Sequence, residues 1–332
     1  MTLCTAYIRQ VNDTEELIFA TDSELTGGGE KWDKGVKLFE LPNKDALLCF
    51  TGTTSRAYPL ILNLISSISY EDIFFKISYT LEDLKDHILQ LFSTLIRSIT
   101  DIIDDKHSVR GEAKFLFGGW DWKLGQFRIW IILYDAGEEK FLATELTESS
   151  DRTNFYVFIG EAKDIDAEEW ANEELTKLLI KDKKLHMKFD MEPLKIIRTA
   201  SLDKDITGIG GSLQIAKVYK SNKTEFFGVY WHSVKGRPFF QGREYNEIDK
   251  PIVRYFDPDT FEIIESDLPE RLITISEELY GEDCDFVQGC FDEEGFLRLD
   301  LPEKTKYKLK LIFKGLAYRL FIEQQSKIGE EK

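Results

Sequence analysis

An α+β fold, arranged as a four-layer αββα sandwich, is what this 332-residue sequence predicts. Three observations lead there. Strand-like runs come in pairs joined by short turns, which favours antiparallel sheets. Helical runs also come in pairs, which suits helix layers packed outside stacked sheets. Strands and helices do not alternate singly, as a doubly wound parallel sheet would require.

The opening reads as a hairpin. Leu3 to Ile8 is strand-like, Val11 to Thr14 is turn material, Leu17 to Ala20 is strand-like again, and Asp22-Ser23 ends the second strand. Thr26 to Gly29 reads as a flexible loop, without the spacing of a phosphate-binding motif. A second hairpin follows, with strands at Val36 to Leu41 and Ala46 to Phe50 and its turn at Pro42 to Asp45. Thr51 to Ser55 leads into a helix capped by Thr54 or Ser55, with Pro59 in its first turn and apolar residues from Ala57 to Ile68 at helical spacing. The next helix starts at Thr80, with Asp83 completing a capping box, and carries an apolar stripe from Leu81 to Ile102.

Strands return at Phe115 to Gly119, followed by Trp120-Asp121-Trp122, then at Phe127 to Tyr134, Lys140 to Glu145 and Phe155 to Ile159. Two helical segments follow, near Ala167 to Leu179 and Glu192 to Leu202. A final hairpin then pairs Ser212 to Tyr219 with Glu225 to Trp231. Beyond His232 the texture changes, so we place a boundary there: residues 1–232 form one domain and 233–332 a C-terminal extension rich in short strands. Candidate strands in the extension are Ile252 to Phe256, Phe261 to Ile264 and Phe296 to Leu301. Tyr307, Leu309, Leu311 and Phe313 alternate as a further strand would, with Ile312 out of step and Lys314-Gly315 as a turn.

With 43 basic and 60 acidic residues the net charge is −17, which repels phosphate backbones and argues against nucleic acid as a partner. The four cysteines form no CxxC pair, and Cys4 and Cys49 sit inside apolar runs, where cysteine behaves as a small hydrophobe. The four histidines are scattered, so no metal site and no cofactor is expected. No signal peptide and no membrane-length apolar run is visible, which gives a soluble, cytoplasmic protein as the expectation.

Six short motifs then fall in one order. They are a threonine at position 2, Phe19-Ala20-Thr21-Asp22-Ser23, Lys37-Leu38-Phe39-Glu40-Leu41, Phe50-Thr51-Gly52-Thr53-Thr54-Ser55, Phe117-Gly118-Gly119-Trp120-Asp121 and Ile209-Gly210-Gly211-Ser212. In that order they resemble a proteasome β-subunit, including the bacterial two-component type, of the N-terminal-nucleophile hydrolase superfamily. The likeness covers residues up to about Trp231. It implies a threonine-type hydrolase of peptide or protein amide bonds, working as a homo-oligomer after removal of Met1. A regulatory partner for the extension is a further expectation.

The resemblance assigns a role to each matched residue. Thr2 supplies the nucleophilic hydroxyl, and its own α-amine, with an ordinary pKa of roughly 7.7–8, serves as the base. Lys37 lowers the cost of an alkoxide, Asp22 orients Lys37, and the Gly52 N–H faces the oxyanion. Asp205 is the candidate supporting aspartate, one residue out of register with the family's spacing. On these roles, Lys37→Ala is expected to abolish hydrolysis and leave the melting temperature nearly unchanged. Supporting serines of the family are replaced, by Ile209 before the glycine pair and by Glu161-Ala162 after Ile159-Gly160. That leaves a second reading open, in which the protein is an inactive, proteasome-like assembly or partner-binding protein.

Overall fold

The computed structural model describes residues 2–330 except 12–13, 28–29, 43–45, 72–78, 100–112, 147–153, 222, 234, 266–274, 293–296 and 299, and except the side chains of 265, 317 and 321–330. The chain is a mixed α+β protein whose larger sheets are built mainly from antiparallel pairs. In the first sheet, β1 (Thr2–Val11) lies between β10 (Tyr156–Glu161) and β2 (Thr14–Thr21). The latter is followed by β11 (Gln214–Tyr219), β12 (Lys223–Trp231), β13 (Arg237–Phe240) and β14 (Arg243–Glu244). The second sheet runs β5 (Leu38–Glu40), β6 (Ala46–Gly52), β7 (Ala113–Asp121), β8 (Gln126–Asp135) and β9 (Lys140–Glu145). A small separate hairpin, β3 (Leu25–Gly27) with β4 (Glu30–Trp32), brackets the glycine run expected to be loop.

Three apolar clusters hold these elements, and the strand period decides which residue joins which. Along β1, Leu3 and Tyr7 join a cluster with α3 (Ala167–Lys181) and α4 (Glu192–Leu202). Cys4 and Ala6 point the other way, into a cluster with Leu38, Leu47, Cys49 and Leu116 of the second sheet. The opposite face of that sheet, through Leu48, Phe50, Phe115 and Phe117, packs on α1 (Thr54–Tyr70) and α2 (Leu81–Arg97). Cys4 and Cys49 are core residues as expected, and burial pushes the Cys49 thiol well above its usual range.

Local sequence signals explain the helix starts. Thr80 and Asp83 form the expected capping box, with the Asp83 N–H donating to Thr80 Oγ1 at 3.2 Å and the Thr80 N–H to Asp83 Oδ2 at 2.8 Å. At α1 the cap is Thr53, one residue before the expected pair, and its side chain makes no capping bond. Pro59 lies inside that helix. Ile102, the last residue of the expected stripe, lies outside the described residues.

The chain beyond 232 departs most from expectation. The boundary falls inside one sheet: β13 pairs with β12, and β15 (Tyr255–Phe256) runs parallel to β12 and pairs with β16 (Ile263–Glu265). The strand expected at Ile252 to Phe256 is thus only two residues long. Near the strand expected at Phe296 to Leu301, the described residues show a single bridge, Phe291 to Leu297. The strand expected over Tyr307 to Phe313 is instead part of α7 (Glu303–Glu330), following α5 (Glu277–Tyr280) and α6 (Cys284–Gly289). Ile312 is the reason. Leu309, Ile312, Phe313 and Leu316 bury together at helical spacing, and the odd–even pattern that suggested a strand is incidental. Gly315 continues that helix rather than turning the chain.

These helices cover one end of the space between the sheets. Tyr280, Cys284, Val287 and Leu309 share a cluster with Trp120, Trp122 and Phe127 from the β7–β8 end. Glu303 packs against Gly125 in the β7–β8 turn. Because Ala46 pairs with Gly119 and Gly52 with Ala113, this end lies opposite Gly52. Thr2 sits at the Gly52 end, since the Thr51 hydroxyl donates to the Thr2 carbonyl.

Candidate active site

The site is assembled from chain segments nearly two hundred residues apart. Asp22 follows β2, at the point where the strand leaves the sheet. Its carboxylate accepts from four directions. Oδ1 takes the Leu3 N–H at 3.1 Å; Oδ2 takes the N–H of Glu24 at 3.0 Å and of Gly210 at 3.1 Å. The Lys37 ammonium then binds both oxygens, at 3.0 and 2.9 Å. Asp22 and Lys37 are each 0% exposed. Charge-assisted bonds are the strong kind, and groups of this type are buried only where they are paired and hydrogen-bonded.

Thr2 stands beside this pair. The Leu3 N–H bound to Asp22 is its neighbour in the chain, and its own carbonyl accepts from Thr51 Oγ1 at 3.4 Å. Alternation along β1 puts the Thr2 side chain on the face of Cys4 and Ala6, toward the second sheet. Thr2 is 1% exposed. Gly52, half-buried at the end of β6, has φ of 98°, a left-handed conformation that glycine adopts freely as the chain turns into α1. Thr2, Asp22, Lys37 and Gly52 therefore share one end of the inter-sheet space. Asp205 does not join the hydrogen bonds around them: it is exposed in the segment after α4, with its N–H donating to Asp203 Oδ1 at 2.9 Å. Met1 lies outside the described residues. The serine-free strand end at Glu161 lies directly opposite Thr2 in the β1–β10 pair.

Three residues were missed by the sequence reading. Gln214, 1% exposed at the start of β11, reaches across to the segment that carries Lys37. Its Oε1 accepts the Lys37 N–H at 2.9 Å and the Leu38 N–H at 3.2 Å, and its Nε2 donates to the Gly35 carbonyl at 2.5 Å. Ser23 ties the same segment from the other side. Its hydroxyl donates to the Asp33 carbonyl at 2.8 Å, and its carbonyl accepts the Gly35 N–H at 2.9 Å. Thr51 completes the set through its bond to Thr2. A signal for Gln214 was present: it shares a strand face with Ala216 and Val218, so it is a polar residue where the pattern is apolar.

The arrangement brings a buried lysine–aspartate pair, a hydroxyl at the start of a strand and a glycine turn to one end of the space between the sheets. No protein-family model and no curated protein matches the sequence. Among the described residues no helix is long and apolar enough to cross a membrane.

Proposed function

We propose that this chain is a threonine-type N-terminal-nucleophile hydrolase of amide bonds, on a four-layer αββα scaffold, with peptides or proteins as substrates. The observation that carries the reading is the fully buried Asp22–Lys37 pair beside Thr2. A lysine desolvated against one carboxylate has its charge fixed in place, at the cost of desolvation that an exposed pair would avoid. Three apolar clusters, helix to sheet, sheet to sheet and sheet to helix, support the four-layer arrangement.

With Met1 removed, Thr2 Oγ attacks the substrate carbonyl and its proton passes to the Thr2 α-amine. Lys37 stabilises the developing negative charge, and the Gly52 N–H serves the oxyanion. Collapse breaks the C–N bond, the proton goes to the leaving amine, and water hydrolyses the resulting ester. On the same reading the protein works in the cytoplasm as a homo-oligomer.

A second reading has its own support. Thr2 is 1% exposed, Asp205 stands apart, and the Asp22 carboxylate is saturated by three amides and a lysine. Those features also suit a structural staple in an inactive assembly protein. Intact-mass analysis separates the two. A hydrolase begins at Thr2 and gains one adduct from an electrophile that bonds both amine and hydroxyl. Thr2→Ala abolishes the adduct and Thr5→Ala leaves it, because the Thr5 nitrogen is locked in a peptide bond. Functional protein that retains Met1 and takes no adduct overturns the catalytic reading.

A further inference from the structure

The hairpin β13–β14 is closed by a two-residue turn, Gln241-Gly242, with φ of 51° and 80°. Two positive φ values in a two-residue hairpin loop make a type I′ turn, in which a non-glycine first residue is strained. Gly242 is buried. A Cβ on it would stand 2.9 Å from Ser23 Cβ, 3.1 Å from the Gly35 carbonyl oxygen and 3.3 Å from the Lys34 carbonyl carbon. The residues it touches are the ones that strap the segment leading to Lys37. Ser23 holds Asp33 and Gly35, and Gln214 holds Gly35, Lys37 and Leu38.

We infer that the β13–β14 turn is a positioning element of the candidate site: Gly242 backs the Lys34–Gly35 backbone against the Ser23 and Gln214 clamps and so sets where Lys37 stands. The chain after 232 therefore has a second task besides covering the far end of the core. It contributes the outer wall of the segment that delivers the site's cation. The contact requires glycine twice over. The backbone is left-handed at this residue, and a methyl group has no room without displacing Ser23 or the Gly35 peptide. The geometry of the segment stands on these contacts alone; its effect on chemistry rests on the reading of Thr2 as nucleophile.

Gly242→Ala tests the inference, with Gly281→Ala as its match. Gly281 also lies in the C-terminal region and also has positive φ (55°), yet a Cβ there meets nothing within 4 Å. The first measurement is amide hydrogen exchange at Lys37 and Leu38, whose N–H groups are held by Gln214. Gly242→Ala speeds their exchange by about tenfold or more, while Gly281→Ala stays within about twofold of the parent. The second is covalent modification of Thr2 in Met1-free protein. Gly242→Ala lowers the maximal rate of labelling and leaves the half-saturating electrophile concentration unchanged. Gln214→Asn, which shortens the clamp by one methylene, marks the exchange seen when the clamp itself is lost. Gly242→Asn, which carries the same Cβ but tolerates a left-handed backbone, serves if Gly242→Ala does not fold. Unchanged protection at Lys37 and Leu38 in a folded Gly242→Ala or Gly242→Asn protein overturns the inference. Absence of Thr2 labelling in the parent defeats the catalytic reading alone, and the exchange result still decides the role of the turn.

Discussion

At the Thr2 end of the space between the two sheets, the chain is held by hydrogen bonds converging on one buried ion pair. At the opposite end it is held by apolar side chains beneath α5, α6 and α7. Around Asp22, both carboxylate oxygens are in use, and Leu3, Glu24, Gly210 and Lys37 are fixed by them. Under the C-terminal helices, the indole N–H groups of Trp120 and Trp122 are buried with no hydrogen-bond partner among the described residues. The difference is one of degree. At the far end the indoles rest on burial, while Asp121 at the β7–β8 turn accepts from the Lys123 and Leu124 N–H groups and from Arg128. At the Thr2 end the directional bonds converge on a fully buried pair. Directional bonds fix positions to a few tenths of an ångström; apolar contact tolerates adjustment.

The largest expected effect comes from breaking the directional end. On the roles alone, Lys37→Ala is a loss of activity with an unchanged melting temperature. Its complete burial changes that expectation. Removing one partner of a buried pair leaves the other charge uncompensated, which costs about 3–5 kcal/mol. The three amides on Asp22 soften this and place the expected loss toward the lower end of that range. Urea unfolding of Lys37→Ala measures it. A loss below about 1 kcal/mol, the range of an exposed pair, shows that the ammonium is solvated and removes the contrast between the two ends.

The second effect sharpens the comparison from the apolar side. Leu309 is 0% exposed in α7 and packs in the cluster that contains Trp120 and Trp122. Leu309→Ala is expected to cost about 2–5 kcal/mol, with the lower part of that range applying if the helix settles into the space. Thr2 labelling and the exchange of the Lys37 and Leu38 amides should stay at parental values, because the site lies at the other end of the strands. Changes there comparable to those of Gly242→Ala would mean that the two ends are coupled, and the division drawn between them would fail.

The two ends also differed in how well the sequence revealed them. The first hairpin, the helix pairs and the capping box at Thr80 were readable because period and caps are local signals. So was the Asp22–Lys37 pairing, which the order of the motifs suggested through their likeness to a known family. Gln214 and Gly242 were not found. Their role is contact with Gly35, far away in the chain. Gln214 is marked locally only as a polar residue on the apolar face of Ala216 and Val218, which does not say what it clamps, and nothing local marks Gly242 as a wedge. Asp205 was chosen by spacing from the glycine pair, and a one-residue offset is enough to leave a side chain on the solvent side. The C-terminal helix was misread because alternate residues from Tyr307 to Phe313 satisfy a period of two, while the burial of Leu309, Ile312 and Leu316 follows the helical period.

The smallest expected effect tests the orphaned donors themselves. Trp122 is 0% exposed, and its N–H lacks a partner among the described residues. Trp122→Phe removes ring atoms, which leaves unfilled space and destabilises. It also removes a buried donor whose unmet hydrogen bond costs about 1–3 kcal/mol in the folded state. The two contributions oppose each other, so the net change should be within about 1 kcal/mol, smaller than either. Equilibrium unfolding followed by circular dichroism measures it without relying on the fluorophore that was removed. A folded protein near parental stability fits indoles held by burial alone. A loss of about 3 kcal/mol or more would mean that the indole N–H is a working donor. In that case the indoles too depend on a directional bond, and the two ends would no longer differ in how their buried side chains are held.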